Sequence, residues 1–179
     1  MAGRSWCRGF PGWVALAAVL WTVVPTGVAG QDASPAPHPV FERLAGSWEG
    51  SGELMGRTAR FTMAWEVAPG GFVRLRFTNA FMGEGGQLQP VLRAEATYRV
   101  TGDAALGVWV DDRPQRITLE AELTDSSITT EWSAATERGR TEYVVRSASE
   151  VVVRDFVYVD GVARPFGEAV YRRAAGHAP

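Results

Sequence analysis

The chain has 179 residues, of which 46% are hydrophobic, and its 18 basic and 20 acidic residues give a formal net charge of −2. This length accommodates one domain with a sizeable core, and the composition is not that of a disordered chain. The slight acidic excess leaves no basic footprint for nucleic acid, which is therefore not expected as a partner.

Residues 1–30 have the features of a secretory signal peptide. Two arginines precede an apolar run at residues 10–24, and Val28-Ala29-Gly30 supplies the small residues of a cleavage site. An uncleaved membrane anchor is the alternative, but a run of this length is too short to span a bilayer comfortably. We predict cleavage after Gly30, a periplasmic or secreted location, and no stable membrane span in the mature chain.

Cleavage also changes the composition of the chain. The single cysteine, Cys7, leaves with the signal peptide, so the mature chain has no disulfide, no thiolate nucleophile and no cysteine metal site. All basic residues are arginine, which excludes a lysine Schiff base. Sixteen arginines against twenty acidic residues then give a net charge of −4. An exported domain without disulfides depends on its own core, which fits a bacterial periplasm.

The mature chain begins with a flexible leader and a short helix. Residues 31–39 are rich in proline and small residues, which indicates the leader. Residues 40–45 place Phe41 and Leu44 three apart on one apolar face, and Gly46 then ends the turn. We expect this helical turn to plug one end of a barrel.

After Gly46 the hydrophobic period becomes two, and turn residues recur every dozen positions or so. Ten strands are predicted, at about residues 46–55, 58–68, 73–81, 92–100, 106–111, 117–123, 128–134, 140–147, 151–159 and 164–173. The longest connection, residues 82–90, is glycine-rich and is interpreted as a mobile lid, and residues 174–179 as a disordered tail. Closure of such a meander removes its exposed edges. The prediction is an all-β domain at residues 40–173, a single closed antiparallel up-and-down barrel.

Ten strands enclose more space than side chains alone fill, which predicts an internal ligand site. The candidates for its lining are Phe61, Met63, Trp65, Leu75, Phe77, Asn79, Phe81, Tyr98, Trp109, Thr130, Trp132 and Asp155. Core packing is the alternative role for the apolar ones. Asn79 and Thr130 are polar residues on apolar faces, and each needs a backbone, water or ligand partner. Asp155 points inward by alternation or faces solvent at a bulge. Trp109 lies either inside the barrel or over a patch outside.

The first strand opens with Gly46-Ser47-Trp48, and the last ends with Tyr171-Arg172-Arg173. These two short motifs resemble those of the calycin group, which includes the lipocalins and fatty-acid-binding proteins. The match is closest to bacterial lipocalin-like domains of unknown function, whose opening glycine pattern is similar to residues 44–52. The resemblance implies a structural latch of Gly46, Trp48, Arg172 and Arg173, in which one arginine stacks on the tryptophan.

The nitrobindins are similar ten-stranded barrels that hold haem through a histidine on a late strand. Residues 166–171 of this chain contain no histidine, while His38 lies in the leader and His177 in the tail. Haem bound through histidine is therefore not expected, and no cofactor is predicted.

The chain contains no Gly-x-Ser-x-Gly or His-Glu-x-x-His motif. Asp111-Asp112 is interpreted as part of a hairpin turn, and no metal site is predicted. We therefore predict non-catalytic binding of a small hydrophobic or amphipathic molecule. One alternative is a calycin-type isomerase or lyase that uses Asp155, Glu168 or an arginine-activated tyrosine. The other is a structural or interaction module of the cell envelope, which a small cavity and an exposed apolar patch outside would favour.

Overall fold

The computed structural model describes residues 37–113 and 115–175. The predicted signal peptide, most of the leader and His177 lie outside these residues. The elements are α1 (Pro39–Leu44), β1 (Gly46–Leu54), β2 (Arg57–Ala68), β3 (Phe72–Met82), β4 (Leu88–Thr101), β5 (Ala104–Asp111), β6 (Arg116–Thr124), β7 (Ser127–Ser133), β8 (Arg138–Ser147), β9 (Glu150–Val159) and β10 (Val162–Arg173), with a single 3-10 turn at Glu84–Gly86.

The ten strands form a closed antiparallel barrel in which every strand pairs with its neighbours in sequence. β1 closes the barrel by pairing with β10, where Trp48 is opposite Arg173. This confirms the predicted fold class, including the short helix that precedes the first strand. None of the helices at residues 37–113 and 115–175 is both long and apolar enough to cross a membrane.

The connection between β3 and β4 is shorter than predicted, because β4 already begins at Leu88. Pro90 lies within that strand, opposite Ala80, where the register shifts between Asn79 and Ala80. Proline has no N–H to donate, and an irregular register accommodates the missing ladder bond. The predicted long lid is thus reduced to residues 83–87.

Helix α1 closes one end of the barrel and packs against β2, β6 and β8. Its side chains Val40, Phe41 and Leu44 are fully buried. The centre of the Phe41 ring lies 5.8 Å from that of Trp65, and the Leu44 carbonyl accepts a 2.7 Å hydrogen bond from Trp48 Nε1. The helix is therefore fixed by apolar packing and by a buried hydrogen bond, not by its own length of six residues.

Arg173 fastens this end of the barrel. Its guanidinium carbon lies 4.2 Å from the centre of the Trp48 ring, and its nitrogens donate to the carbonyls of Ala45, Arg43 and Ala148 at 2.7, 2.8 and 2.9 Å. Gly46 is needed beside it, because its φ is +108° and a Cβ there would come within 2.9 Å of Arg173 Nη1.

Arg172 does not belong to the latch. Successive residues of a strand point to opposite faces, so Arg172 lies outside the barrel, where it pairs with Glu150. We therefore define the latch as Gly46, Trp48 and Arg173.

Candidate functional site

The half of the barrel next to α1 is filled with side chains. Trp65 stacks on Tyr98 with 6.1 Å between ring centres and meets Tyr143 edge-on at 5.4 Å. Five apolar or aromatic residues among the predicted cavity residues are buried at 5% exposure or less and belong to the core: Phe61, Met63, Trp65, Leu75 and Tyr98. In this half, large aromatic side chains and the helix occupy the space that the strand number alone would leave open.

The other half of the interior is rimmed by aromatic side chains that remain partly accessible. They are Phe77, Phe81, Trp109, Trp132 and Phe166, and all pack against the edge of the buried core. Phe77 and Trp109 contact each other, with 5.6 Å between ring centres. The Arg57 guanidinium lies 3.8 Å from the centre of the Phe81 ring. We call these five residues the aromatic rim.

The position of Trp132 in the rim depends on a glycine on the next strand. Gly139 is opposite Trp132 in the β7–β8 pairing. A Cβ at Gly139 would overlap both the indole of Trp132 and the carbonyl oxygen of Phe156. The indole of Trp132 therefore lies against β8 in a space that only glycine leaves free.

Trp109 is held in place by the carboxylate of Asp111, which also binds Arg113 at the β5–β6 turn. We call these three residues the clasp. The Asp111 carboxylate accepts hydrogen bonds from Trp109 Nε1 at 2.9 Å, from the Arg113 backbone N–H at 2.9 Å and from Arg113 Nη2 at 2.6 Å. Burial alone would raise the pKa of Asp111, but the bonds from Arg113 and Trp109 outweigh it and hold that pKa below its ordinary value. Trp109 and Asp111 thus lie on the interior face, which leaves Leu106, Val108 and Val110 outside.

Asp155 lies on the interior face of β9, opposite Thr141 on β8 and Gly167 on β10. The register shift in this region is on β10, between Pro165 and Gly167, so Asp155 itself is not at a bulge. Thr141 Oγ1 donates a 2.7 Å hydrogen bond to Asp155 Oδ1. Burial raises the pKa of Asp155 to about 6, against which the Thr141 bond acts. Asp155 as a residue is of intermediate exposure.

Three polar side chains form an inward row across β7, β8 and β9. Thr130 is opposite Thr141, and Thr141 is opposite Asp155. Thr130 Oγ1 is buried without a partner in hydrogen-bond geometry, although it is close enough to Tyr98 to lower the pKa of that phenol slightly against the effect of burial. Asn79 Oδ1 is also buried and unpartnered. Buried polar atoms without partners are uncommon, and each needs a water or ligand group.

The carboxylate of Asp155 also faces two buried phenols. Burial raises the pKa of Tyr143 and Tyr171 well above the ordinary value, and the charge of Asp155 raises both further. Among the described residues, the charges that act on these two phenols raise their pKa, which is the direction opposite to activation by an arginine. Glu168 does not enter the interior either. It points outward and pairs with Arg154 at 3.5 Å.

All twelve predicted cavity residues lie on the interior face, but they divide into two groups. Phe77, Phe81, Trp109, Trp132 and Asp155 surround the open half, with Asn79 and Thr130 buried behind them, whereas the other five belong to the core. Sequence reasoning missed Thr141 and Phe166. The bond between Thr141 and Asp155 depends on the β8–β9 register, and Phe166 turns inward only because of the β10 shift. Over residues 37–113 and 115–175, no group of three potential metal ligands comes together.

The site therefore belongs to a closed, ten-stranded antiparallel barrel. No protein-family profile and no curated protein matches the chain. Among solved structures, the crystal structure of Rv2717c from M. tuberculosis is similar, with a TM-score of 0.58 and 16% identity over 74% of this chain and 93% of that one. The redesigned β-barrel mFAP1, bound to DFHBI, gives a TM-score of 0.45 and 9% identity over 75% and 99%. These likenesses concern the fold alone.

Proposed function

We propose that this protein binds a small amphipathic molecule in the open half of its barrel, without catalysis. The observation that carries this function is the aromatic rim on the same interior face as the carboxylate of Asp155, a residue of intermediate exposure whose pKa is raised by burial. A concave apolar surface with one convergent polar group is the usual form of a small-molecule site. The filled half beneath it provides a rigid floor.

The two kinds of lining residue have different roles in the site. The rim rings take the apolar body of the ligand, since each aromatic side chain offers a large, flat contact surface. Asp155 is an acceptor, and with a pKa of about 6 it is mostly ionised at neutral pH. It favours a ligand with an amine or another hydrogen-bond donor and repels a carboxylate. A long-chain amine or alcohol therefore fits better than a fatty acid.

Tryptophan fluorescence titration tests this preference. We expect an alkyl amine to bind more tightly than the alcohol of the same chain length, and the fatty acid to bind most weakly. Asp155→Asn should remove the difference between amine and fatty acid. Asp125→Asn, at an exposed turn near α1, is the matched control and should leave the order intact. A protein that shows no response to any of the three probes, and no bound guest in native mass spectrometry, would contradict the proposal.

A second candidate function is proton-transfer catalysis by Asp155, as in a calycin-type isomerase or lyase. The raised pKa of this residue favours it, because a general base works best with a pKa near the operating pH. Asp155 is held by a threonine and not by an arginine, which leaves it free to exchange a proton. A rate of solvent-deuterium incorporation into a bound ligand that falls in Asp155→Asn would support this candidate over simple binding.

The proposal includes export of the protein to the periplasm or the exterior and kinship with the calycins. The charged start and apolar run of residues 1–30 support export. The latch supports the kinship, since Arg173 stacks on Trp48 as the resemblance implies. The mass and N-terminal sequence of the protein purified from a bacterial host test export, and a mature start at Gln31 is expected.

A further inference from the structure

The outer face of β5 carries an apolar stripe exposed to water. Leu106 and Val110 are 66% and 52% exposed, and Val108 lies between them, partly exposed. A shallow depression of about 680 Å³ covers the stripe and reaches Phe72, which is 39% exposed. A contiguous exposed apolar surface with a polar border is typical of an interaction site.

The border of this stripe has a regular charge pattern. In the strand register, Val110 lies between Glu95 on β4 and Arg116 on β6, and Leu106 lies between Arg99 and Glu120. Threonines flank the central valine on both sides. We call these nine outward residues the β5 face: Glu95, Thr97, Arg99, Leu106, Val108, Val110, Arg116, Thr118 and Glu120.

The β5 face is complementary to itself. Consider two copies of the chain packed with their β5 faces in contact and related by a two-fold axis. If this axis runs along β5, Glu95 lies against the partner's Arg116 and Arg99 lies against the partner's Glu120. A half-turn about an axis across β5 places Glu95 against the partner's Arg99 instead. Under either axis every corner pairs opposite charges, and Val108 meets its own counterpart at the centre. Such a pattern is what a two-fold, isologous contact requires.

We infer that the β5 face is the interface with a second copy of this chain. Two sheets packed face to face bury their facing side chains in a layer about 10 Å thick, which suits an apolar stripe closed by ion pairs at its corners. A lipid surface would leave two glutamates and two arginines desolvated without partners. A protein of another sequence has no reason to match a two-fold pattern.

Analytical ultracentrifugation of the purified protein tests this interface. Over micromolar to submillimolar concentrations, we expect a reversible monomer–dimer equilibrium. Val108→Arg places like charges against each other on the axis and should raise the dimer dissociation constant by about thirtyfold or more. Val170→Arg is the control, since β10 lies five strands away on the opposite side of the barrel. It should leave the constant unchanged, and circular dichroism should show both variants folded.

Charge reversal identifies the axis. Glu95→Arg should weaken the dimer under either arrangement. Adding Arg116→Glu restores it if the axis runs along β5, and adding Arg99→Glu restores it if the axis runs across β5. A wild-type protein that sediments as a monomer at every concentration overturns the inference, as does a dimer that Val108→Arg leaves intact. The β5 face would then serve a partner of different sequence.

Discussion

Arg173 lies over the ring of Trp48 and bonds three backbone carbonyls that belong to two different parts of the chain. It thereby joins the end of the last strand to the start of the first and to the β8–β9 turn. We expect Arg173→Ala to lower the free energy of unfolding by about 2–4 kcal/mol, because it removes a cation–π contact and several charge-assisted hydrogen bonds.

Urea denaturation followed by circular dichroism measures this change. Arg172→Ala is the matched control, since Arg172 is exposed and its partner Glu150 is only partly buried. An exposed ion pair contributes about 0–1 kcal/mol. Equal losses in the two variants would show that Arg173 is not the fastening residue.

The raised pKa of Asp155 predicts a pH dependence of stability. The folded-state value of about 6 exceeds the ordinary value of 3.8, so the folded protein holds this proton more tightly than the unfolded chain. The stability that Asp155 contributes is therefore fully present below pH 3.8 and is lost as the pH rises to about 6. Asp155→Asn should abolish this loss and raise the free energy of unfolding at neutral pH by about 2–3 kcal/mol.

The measurement is the difference in unfolding free energy between wild type and Asp155→Asn at several pH values, which cancels the contributions of other carboxylates. That difference should be largest above pH 6 and smallest near pH 4. A difference that does not vary with pH would mean that Asp155 titrates alike in both states.

Breaking the clasp at Asp111 should lower the free energy of unfolding and release Trp109 from its position in the aromatic rim. Asp111→Ala leaves the Trp109 N–H and Arg113 without their shared acceptor and should cost about 2–3 kcal/mol. Trp109 should become more exposed to water, so the tryptophan emission of the protein should shift to longer wavelength. Asp112→Ala, which removes only the acceptor of the Arg93 N–H at the same turn, should cost less and leave the emission unchanged.

The aromatic rim predicts where ligand affinity is lost. Trp132→Ala should weaken binding of the alkyl amine probe by about tenfold or more, because the indole provides a large share of the contact surface. Val159→Ala, an exposed position at the end of β9, serves as a control for nonspecific surface effects. Isothermal titration calorimetry gives both constants, and equal affinity in the two variants would place the ligand elsewhere.

The number of strands and the closure of the barrel could be predicted from the sequence, because the alternation of apolar residues along each strand indicates which face is buried. The same signal could not orient β5, since Leu106, Val108 and Val110 outside are as apolar as the residues inside. The alternation of apolar residues also could not distinguish residues of the buried core from residues of the aromatic rim. Phe61 and Phe77 have the same pattern in sequence, yet Phe61 is 5% exposed whereas Phe77 is only partly buried. The Asp155–Thr141 bond depends on a pairing register that no local pattern encodes.

The unequal filling of the barrel also has a kinetic consequence. Backbone amides near α1 lie beneath fully buried side chains, whereas those of the turns beyond the rim, including residues 83–87, are covered by few apolar contacts. Local opening costs least where burial is least. Hydrogen exchange should therefore be fastest at the rim end and slowest beside the helix, and a guest should enter and leave by fraying of the rim hairpins while the opposite end stays shut.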